Sequence, residues 1–174
     1  ALLLIWPKTP LAKSLFPGAQ VLLSDLDSAA LSLASENSQI HAVDSMVRGD
    51  LLSWCRSSCV DIIIANPPYV DEDDMRGLPA EYRHEPGLAL AGGEDGLDLV
   101  RVLLTDAARI LRPTGILILE VGNSFEALDD LSDQLHPIWV ELEQGGHGVA
   151  VFMAQDLAQW ALSEDTNYSV VSVK

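Results

Sequence analysis

Short apolar runs that end beside polar residues are the feature of this sequence that most limits its fold. The run Val60–Ala65 is rich in β-branched residues and ends at Asn66, and residues 116–121 form a second apolar run around Glu120. Continuous apolar runs of this length are typical of strands buried on both faces of a sheet. The same reasoning predicts further strands at 21–25, 46–50, 139–142 and 149–153.

Helical patterns separate most of these strands. Residues 28–37 follow Asp27, which is a favourable N-cap, and residues 97–111 place their leucines, valine and alanines on one face. A third helix is predicted over 125–136. Alternating strands and helices predict an α/β fold with a mostly parallel sheet. The short link 145–148 predicts a C-terminal hairpin that brings one antiparallel strand into this sheet.

Four polar residues end or directly follow predicted strands, and they are Asp25, Asp50, Asn66 and Glu120. Since the carboxyl ends of parallel strands share one edge of the sheet, where ligands bind in such folds, these side chains are predicted to lie along that edge. Asp25 ends one strand and could bind the ribose hydroxyls of a nucleoside cofactor. Asp50 could accept a hydrogen bond from an adenine amino group. Glu120 could support the edge or the substrate. The alternatives are a helix cap for Asp25, an exposed turn acid for Asp50 and a structural acid for Glu120.

The sequence Asn66-Pro67-Pro68-Tyr69 carries the predicted chemistry. Pro67 keeps Asn66 out of the helical region, and neither proline has an N–H to donate, so the Asn66 side-chain oxygen and the Pro67 carbonyl are free acceptors. Two acceptors can hold both hydrogens of a planar NH2 group and align its lone pair with an electrophilic methyl group. Tyr69 can stack on the flat group. The motif predicts methyl transfer to an amide or aromatic amine, and the alternative is a plain turn after a strand.

Composition excludes several classes of protein. The 174 residues suit one domain, and no apolar run reaches the ~18 residues that a membrane span needs. The net charge of −16 argues against nucleic acid as the main partner and favours a basic protein, and the alternative is that the charge only keeps the protein soluble. Cys55 and Cys59 are interpreted as two reduced thiols, with a disulfide or a metal pair as alternatives, and no metal site is predicted. Low cysteine content and the absence of an export signal favour the cytoplasm.

One long segment carries a family resemblance. Residues 66–97 read NPPYVDEDDMRGLPAEYRHEPGLALAGGEDGL, and EVGNS at 120–124 and GGHGV at 145–149 add to the pattern. This sequence resembles the bacterial glutamine methyltransferases of the HemK/PrmB type, and within them the PrmB branch that acts on a ribosomal protein. The resemblance implies a class I, Rossmann-like fold with a seven-stranded sheet, S-adenosylmethionine as cofactor, and N5-methylation of a glutamine in a large-subunit ribosomal protein.

The resemblance also implies roles for single residues. Asn66 and Pro67 would hold the glutamine amide, Tyr69 would pack beside it, and Asp25 would bind the cofactor ribose. Residues 70–95 would form the wall that selects the substrate, since a loop of this length in a compact domain is usually functional. Cofactor binding is therefore predicted for Asp25, Asp50 and Asn66, and the reaction centre for Asn66, Pro67, Pro68 and Tyr69.

The sequence departs from the family near its beginning. The family has a glycine-rich loop after its first strand, whereas Gly18 is the only glycine before Gly49 here. We therefore expect an N-terminally truncated catalytic domain over 1–162 that lacks the first strand and this loop, followed by a tail over 163–174.

Three other functions remain open from the sequence. The first is methylation of a release-factor glutamine, which the sister branch of the family performs. The second is methylation of an adenine amino group in nucleic acid, because the Asn-Pro-Pro-Tyr chemistry suits an exocyclic amine as well. The third is a catalytically inactive fragment that only binds a protein partner.

Overall fold

The computed structural model describes residues 2–5, 17–41, 43–67, 95–131, 135–141 and 148–170. The strands in this part of the chain are β1 (Leu2–Ile5), β2 (Val21–Asp25), β3 (Ser45–Arg48), β4 (Val60–Ala65), β5 (Leu111–Glu120), β6 (Ile138–Trp139) and β7 (Val149–Met153). The α-helices are α1 (Ser28–His41), α2 (Asp98–Ile110), α3 (Phe125–Asp130) and α4 (Ala154–Val170), and a 3-10 turn covers Gly122–Ser124.

The strands form one seven-stranded sheet in the order β3-β2-β1-β4-β5-β7-β6. All neighbouring pairs from β3 to β5 are parallel, and β7 runs antiparallel to both β5 and β6. The predicted α/β class, the mostly parallel sheet and the single antiparallel strand in a C-terminal hairpin are therefore confirmed.

The position of β1 at the centre of the sheet contradicts one prediction from the sequence. The strand β1 lies between β2 and β4 and pairs in parallel with both, through Leu2–Ile5. The expectation that the chain lacks a first strand is therefore wrong. A strand at this position needs only a short apolar run that can pair on both sides, and the residues at 2–5 provide one without the family's glycine-rich sequence after them. Residues 6–16, where such a loop would follow, lie outside the described residues.

Both faces of the sheet are covered, as the β-branched runs predict. Because side chains alternate along a strand, Ile63 and Ala65 belong to the larger buried cluster, whereas Ile62 and Ile64 pack against a second cluster on the other face. The helix α2 buries one stripe in the larger cluster, and the buried residues of this stripe are Val100, Leu103, Leu104, Ala107 and Ile110. The second cluster includes Ala34 of α1. The fold is therefore a sheet between two helical layers.

Several element boundaries differ from the prediction. The strand β5 begins at Leu111 rather than 116, with a register shift against β4 between Val60 and Ile62. The helix α3 ends at Asp130 instead of 136. The helix α4 was not predicted and runs to Val170, so its backbone passes through the expected boundary at 162 and 163 without a break. Within the described residues, no helix combines the length and the apolar character that crossing a membrane requires.

Candidate functional site

The polar residues predicted at the strand ends do lie along one edge of the sheet. Leu4 of β1 pairs with Leu23 on one side and with Ile64 on the other, so Asp25 and Asn66 both lie two residues further along, at the same height. Two strand spacings separate their backbones, which is about 10 Å. The chain moves outward from β1 to β3 and returns to β4 on the other side of β1, and such a reversal of strand order is where ligands bind in open α/β sheets.

Asp25 stands at the end of β2 with one carboxylate oxygen fixed. Its Oδ1 accepts a hydrogen bond of 2.8 Å from the backbone N–H of Asp27. Asp27 in turn accepts one of 2.8 Å from the backbone N–H of Ala29, which caps α1 as predicted. Among the described residues, Oδ2 of Asp25 has no hydrogen-bond partner. A half-buried carboxylate held in this way presents one oriented acceptor at the edge of the sheet.

The turn that carries Asp50 is tied to the end of β2. The Gly49 N–H donates to the Asp25 carbonyl at 3.1 Å, and the Arg48 Nε donates to the Leu26 carbonyl at 3.1 Å. Asp50 lies two residues beyond the last residue of β3, and its side chain is exposed. Asp25 and Asp50 therefore stand on neighbouring strand ends that are joined by direct hydrogen bonds.

Trp54, which follows Asp50 in the same turn, connects this turn to β2. The indole Nε1 of Trp54 donates to the Ser24 Oγ at 3.1 Å and to the Leu51 carbonyl at 3.2 Å. Ser24 is 1% exposed, and the indole lies against Gly49, where a Cβ would overlap the ring. Sequence reasoning missed both residues, although a lone serine inside the apolar strand Val21–Asp25 is a signal that a buried polar group needs a partner.

Asn66 and Glu120 stand next to each other on the other half of the edge. Ala65 pairs with Leu119, so Asn66 and Glu120 each lie one residue beyond this pair on adjacent strands. Both side chains are half-buried, and Pro67 is buried. The structure thus brings the amide of the predicted reaction-centre motif beside a carboxylate. Pro68 and Tyr69 lie outside the described residues, as does the predicted substrate wall up to residue 94.

Two segments that carry the family resemblance meet beside Glu120. The Val121 N–H donates to the Gly148 carbonyl at 2.7 Å, and Glu120 pairs with Val149. Gly148 has a φ of 76°, and a Cβ at this position would overlap the backbone N, C and O atoms of Gly122. The close backbone approach explains the glycine at 148, and Gly122 has a positive φ of 49°, which also favours glycine. His147, like His84, lies outside the described residues.

Away from this edge, Asp95 and Cys55 are among the described groups whose pKa departs from its ordinary value. The hydrogen bond from Arg101 lowers the pKa of Asp95, against the opposing effect of burial, and a further hydrogen bond from the Leu97 N–H lowers it again. Burial, together with the Cys59 thiol, raises the pKa of Cys55 to about 11. Both cysteines are free thiols, as predicted. Among the side chains that the structure describes, no group of three or more His, Cys, Asp and Glu residues is arranged to hold a metal ion.

Comparison with known proteins shows which sequences this chain is similar to. The ribosomal protein uL3 glutamine methyltransferase of Bradyrhizobium diazoefficiens is 42% identical over 145 residues, which are 82% of this chain and 46% of that protein. The enzymes of the same name from Francisella tularensis and Burkholderia pseudomallei are 35% and 38% identical, each over 84% of this chain. Over this length the chain is similar to the uL3 glutamine methyltransferases. It spans about half the length of these curated relatives. No protein-family model matches the chain.

Solved structures show the same fold at low sequence identity. A methyltransferase from Pyrococcus furiosus superposes with a TM-score of 0.63 at 16% identity, covering 88% of this chain and 74% of that one. TrmN from Thermus thermophilus superposes with a TM-score of 0.54 at 23% identity, covering 87% of this chain and 43% of that one. The class I, Rossmann-like methyltransferase fold predicted from the sequence is thereby confirmed.

Proposed function

We propose that this chain is the cofactor-binding and catalytic part of an S-adenosylmethionine-dependent enzyme that methylates the side-chain amide nitrogen of a glutamine in ribosomal protein uL3. The observation that carries the proposal is the alignment of Asp25 and Asn66 at equal height on either side of β1, at the reversal of strand order. This alignment puts a candidate cofactor acid and a candidate amide-binding residue on the two sides of β1, at the same edge of the sheet. The relatives named for uL3 methylation support the choice of substrate.

The residues at the edge fit the nucleoside end of S-adenosylmethionine. Ribose hydroxyls and the adenine amino group are hydrogen-bond donors, and carboxylates are the matching acceptors. Asp25 would bind the ribose hydroxyls through the oxygen that its turn leaves open, and Asp50 would accept from the adenine amino group. The hydrogen bonds between the ends of β2 and β3 hold these two acids in a fixed relation before any ligand arrives.

Asn66 and Pro67 would act on the glutamine. Their two oxygens, the Asn66 side-chain carbonyl and the Pro67 backbone carbonyl, accept the two amide hydrogens, orient the nitrogen and draw electron density onto it. Tyr69 would pack against the flat amide group. When bound, S-adenosylmethionine supplies the electrophilic methyl group. Glu120, adjacent to Asn66, would orient the Asn66 amide by accepting one of its N–H groups.

The charge of the chain supports a protein substrate over nucleic acid. A net charge of −16 repels phosphate groups and attracts a basic surface, so a basic ribosomal protein is the better partner. An enzyme of this kind works where ribosomes assemble, and we therefore propose the cytoplasm as its location. The same charge argues against adenine in nucleic acid as the substrate.

Calorimetric titration of the chain with S-adenosylmethionine tests the cofactor half of the proposal. Asp25→Asn keeps the acceptor for the Asp27 N–H and removes the charge, so the affinity should fall by about 10- to 100-fold, the loss expected for hydrogen bonds to a charged group. Asp27→Asn is the matched control, since it removes the same charge two residues away and asparagine still caps a helix. Absence of binding by the unchanged chain at millimolar cofactor would refute the proposal.

Transfer of a labelled methyl group to purified uL3 tests the catalytic half. Asn66→Ala should abolish methylation of uL3, and its effect on methyl transfer should be much larger than its effect on the affinity for S-adenosylmethionine. Methylation of a release factor or of duplex DNA, with none of uL3, would assign the chain to one of the alternative substrates. Cofactor binding without transfer to any of these substrates would identify an inactive binding domain.

A further inference from the structure

A pair of thiols lies in the turn between β3 and β4, outside the proposed reaction centre. The Sγ atoms of Cys55 and Cys59 are 3.4 Å apart, and both cysteines are free. The S–S bond of a disulfide is about 2.05 Å long, so a closing movement of a little over ~1 Å would bring these two atoms to bonding distance. The chain has two cysteines in all, so each is the other's only intramolecular partner.

The backbone holds the two thiols together through the end of α2. The Cys59 N–H donates to the Ile110 carbonyl at 2.9 Å, and a guanidinium nitrogen of Arg109 donates to the Cys55 carbonyl at 2.5 Å. Ser58 has a φ of 51°, a left-handed conformation that turns the chain back so that Cys59 returns beside Cys55. Since both cysteine backbones are anchored to one helix end, the short distance is a property of the fold.

The two thiols differ in exposure, and burial makes Cys55 less acidic than an ordinary cysteine. Cys55 is 9% exposed, whereas Cys59 is half-buried and its Sγ donates to the Arg56 carbonyl at 2.9 Å. Burial is the largest cause that raises the pKa of Cys55 from 9.0 to about 11. At neutral pH this rise leaves Cys55 with about one-hundredth of the thiolate of an ordinary cysteine. Cys59 is therefore the thiol that reacts first, and Cys55 is the one that follows.

We propose that Cys55 and Cys59 form a reversible redox-active pair that is oxidised by a small-molecule disulfide such as glutathione disulfide. The Cys59 thiolate attacks one sulfur of the small disulfide, whose S–S bond breaks and releases one thiolate that takes a proton from water. Cys55 then loses its proton to solvent and attacks the Cys59 Sγ, which releases the second small thiol. Two protein thiols are oxidised, one small disulfide is reduced to two thiols, and the protein gains one intramolecular disulfide.

The two cysteines lie in the connection between β3 and β4, which also carries an acid that we propose binds the cofactor. The disulfide would close a ring within residues 55–59, in the same turn that carries Asp50 and Trp54. An effect of the disulfide on cofactor binding rests on the proposed function, whereas the redox chemistry of the two thiols does not. The test below therefore measures the thiols alone, and its outcome is independent of the cofactor titration.

The experiment equilibrates the 174-residue chain in buffers of graded glutathione to glutathione disulfide ratio, alkylates the remaining thiols and weighs the protein by mass spectrometry. Under oxidising ratios the product should be two hydrogens lighter than the reduced chain, free of glutathione and of alkyl groups, and fully restored by dithiothreitol. Two thiols that stay alkylatable at every ratio would overturn the proposal. A stable glutathione adduct on the unchanged chain, or disulfide-linked dimers in place of the monomeric product, would overturn it as well.

Single variants test the order of attack. Cys55→Ser should accumulate a glutathione adduct on Cys59, because the second thiol is gone. Cys59→Ser should react at least about tenfold more slowly, because burial keeps Cys55 protonated. Equal rates for the two variants would contradict the assigned roles. Circular dichroism of both variants confirms that neither rate reflects unfolding.

Discussion

The indole Nε1 of Trp54 lies 3.1 Å from the Oγ of Ser24, and this hydrogen bond joins the turn after β3 to the buried interior of β2. Ser24 is 1% exposed, so water cannot replace a lost partner there at low cost. The bond joins Ser24, which precedes Asp25, to the turn that carries Asp50, and these are the two acids that we assign to the cofactor. Its loss should therefore lower stability and disturb the relation of the two strand ends.

Trp54→Phe removes the donor and keeps most of the ring. We expect the free energy of unfolding in urea to fall by about 1–3 kcal/mol, the cost of a buried polar group without a partner. Adding Ser24→Ala should recover part of the loss, since both partners are then absent. Trp139→Phe is the control, because the Trp139 indole donates to an exposed aspartate, Asp129, which water can satisfy. Strict additivity of the two changes would contradict the coupling.

Gly49→Ala tests the same hydrogen bond by displacing the Trp54 ring. A Cβ at residue 49 would overlap the Trp54 indole, so the ring must move and lose its hydrogen bond to Ser24. We expect destabilisation of about 1–3 kcal/mol by urea unfolding, the usual cost of overpacking. In the Trp54→Ala background the same change should cost far less, because the obstructing ring is gone. Gly18→Ala is the control, since a Cβ there meets nothing within 4 Å.

Sequence reasoning predicted the elements whose signal is local. The β-branched run before Asn66 and the apolar face of α2 are patterns that one segment carries by itself, and both elements formed as expected. The placement of Asp25, Asn66 and Glu120 at one edge followed from the parallel sheet. Their roles in binding and catalysis stay predictions.

The elements that sequence reasoning missed depend on distant partners. The strand β1 is four residues long, and its position between β2 and β4 is set by pairing on both sides rather than by its own sequence. A missing glycine motif suggested the loss of the strand, although glycines constrain the loop after a strand and not its pairing. The contact between Trp54 and Ser24 spans 30 residues of sequence, which no local pattern reveals.

Gly148→Ala should be among the most damaging single changes in the chain. The φ of 76° disfavours any side chain, and the added Cβ would overlap the Gly122 backbone, which has no flexible end that can move away. We expect a loss of more than about 3 kcal/mol of folding free energy, since both strain and overlap contribute. Gly148→Asn separates these two causes, because asparagine tolerates a positive φ. If Gly148→Asn is nearly neutral in thermal unfolding, the overlap is not the cause.

The ion pair of Asp95 and Arg101 predicts how stability depends on pH. The two side chains meet at 2.5 Å just before and within α2, and the Arg101 hydrogen bond lowers the pKa of Asp95 in the folded state. A carboxyl group whose folded pKa is depressed contributes stability above its unfolded pKa of about 3.9, and this contribution is lost as the pH falls through the lower folded pKa. Asp95→Asn should therefore destabilise the chain at neutral pH and make no difference in strong acid.

Solvent screening limits how much the ion pair of Asp95 and Arg101 contributes to stability. The Arg101 side chain is 41% exposed and the Asp95 side chain is 40% exposed, so the ion pair should contribute less than about 1 kcal/mol to the free energy of unfolding. Urea unfolding of the original chain and of Asp95→Asn, measured from neutral pH down through the acid range, gives the difference directly. Asp98→Asn is the matched control, because Asp98 is 70% exposed and lies 3.6 Å from the same arginine. A difference for Asp95→Asn that grows as the pH falls would have the wrong sign and would reject the assignment.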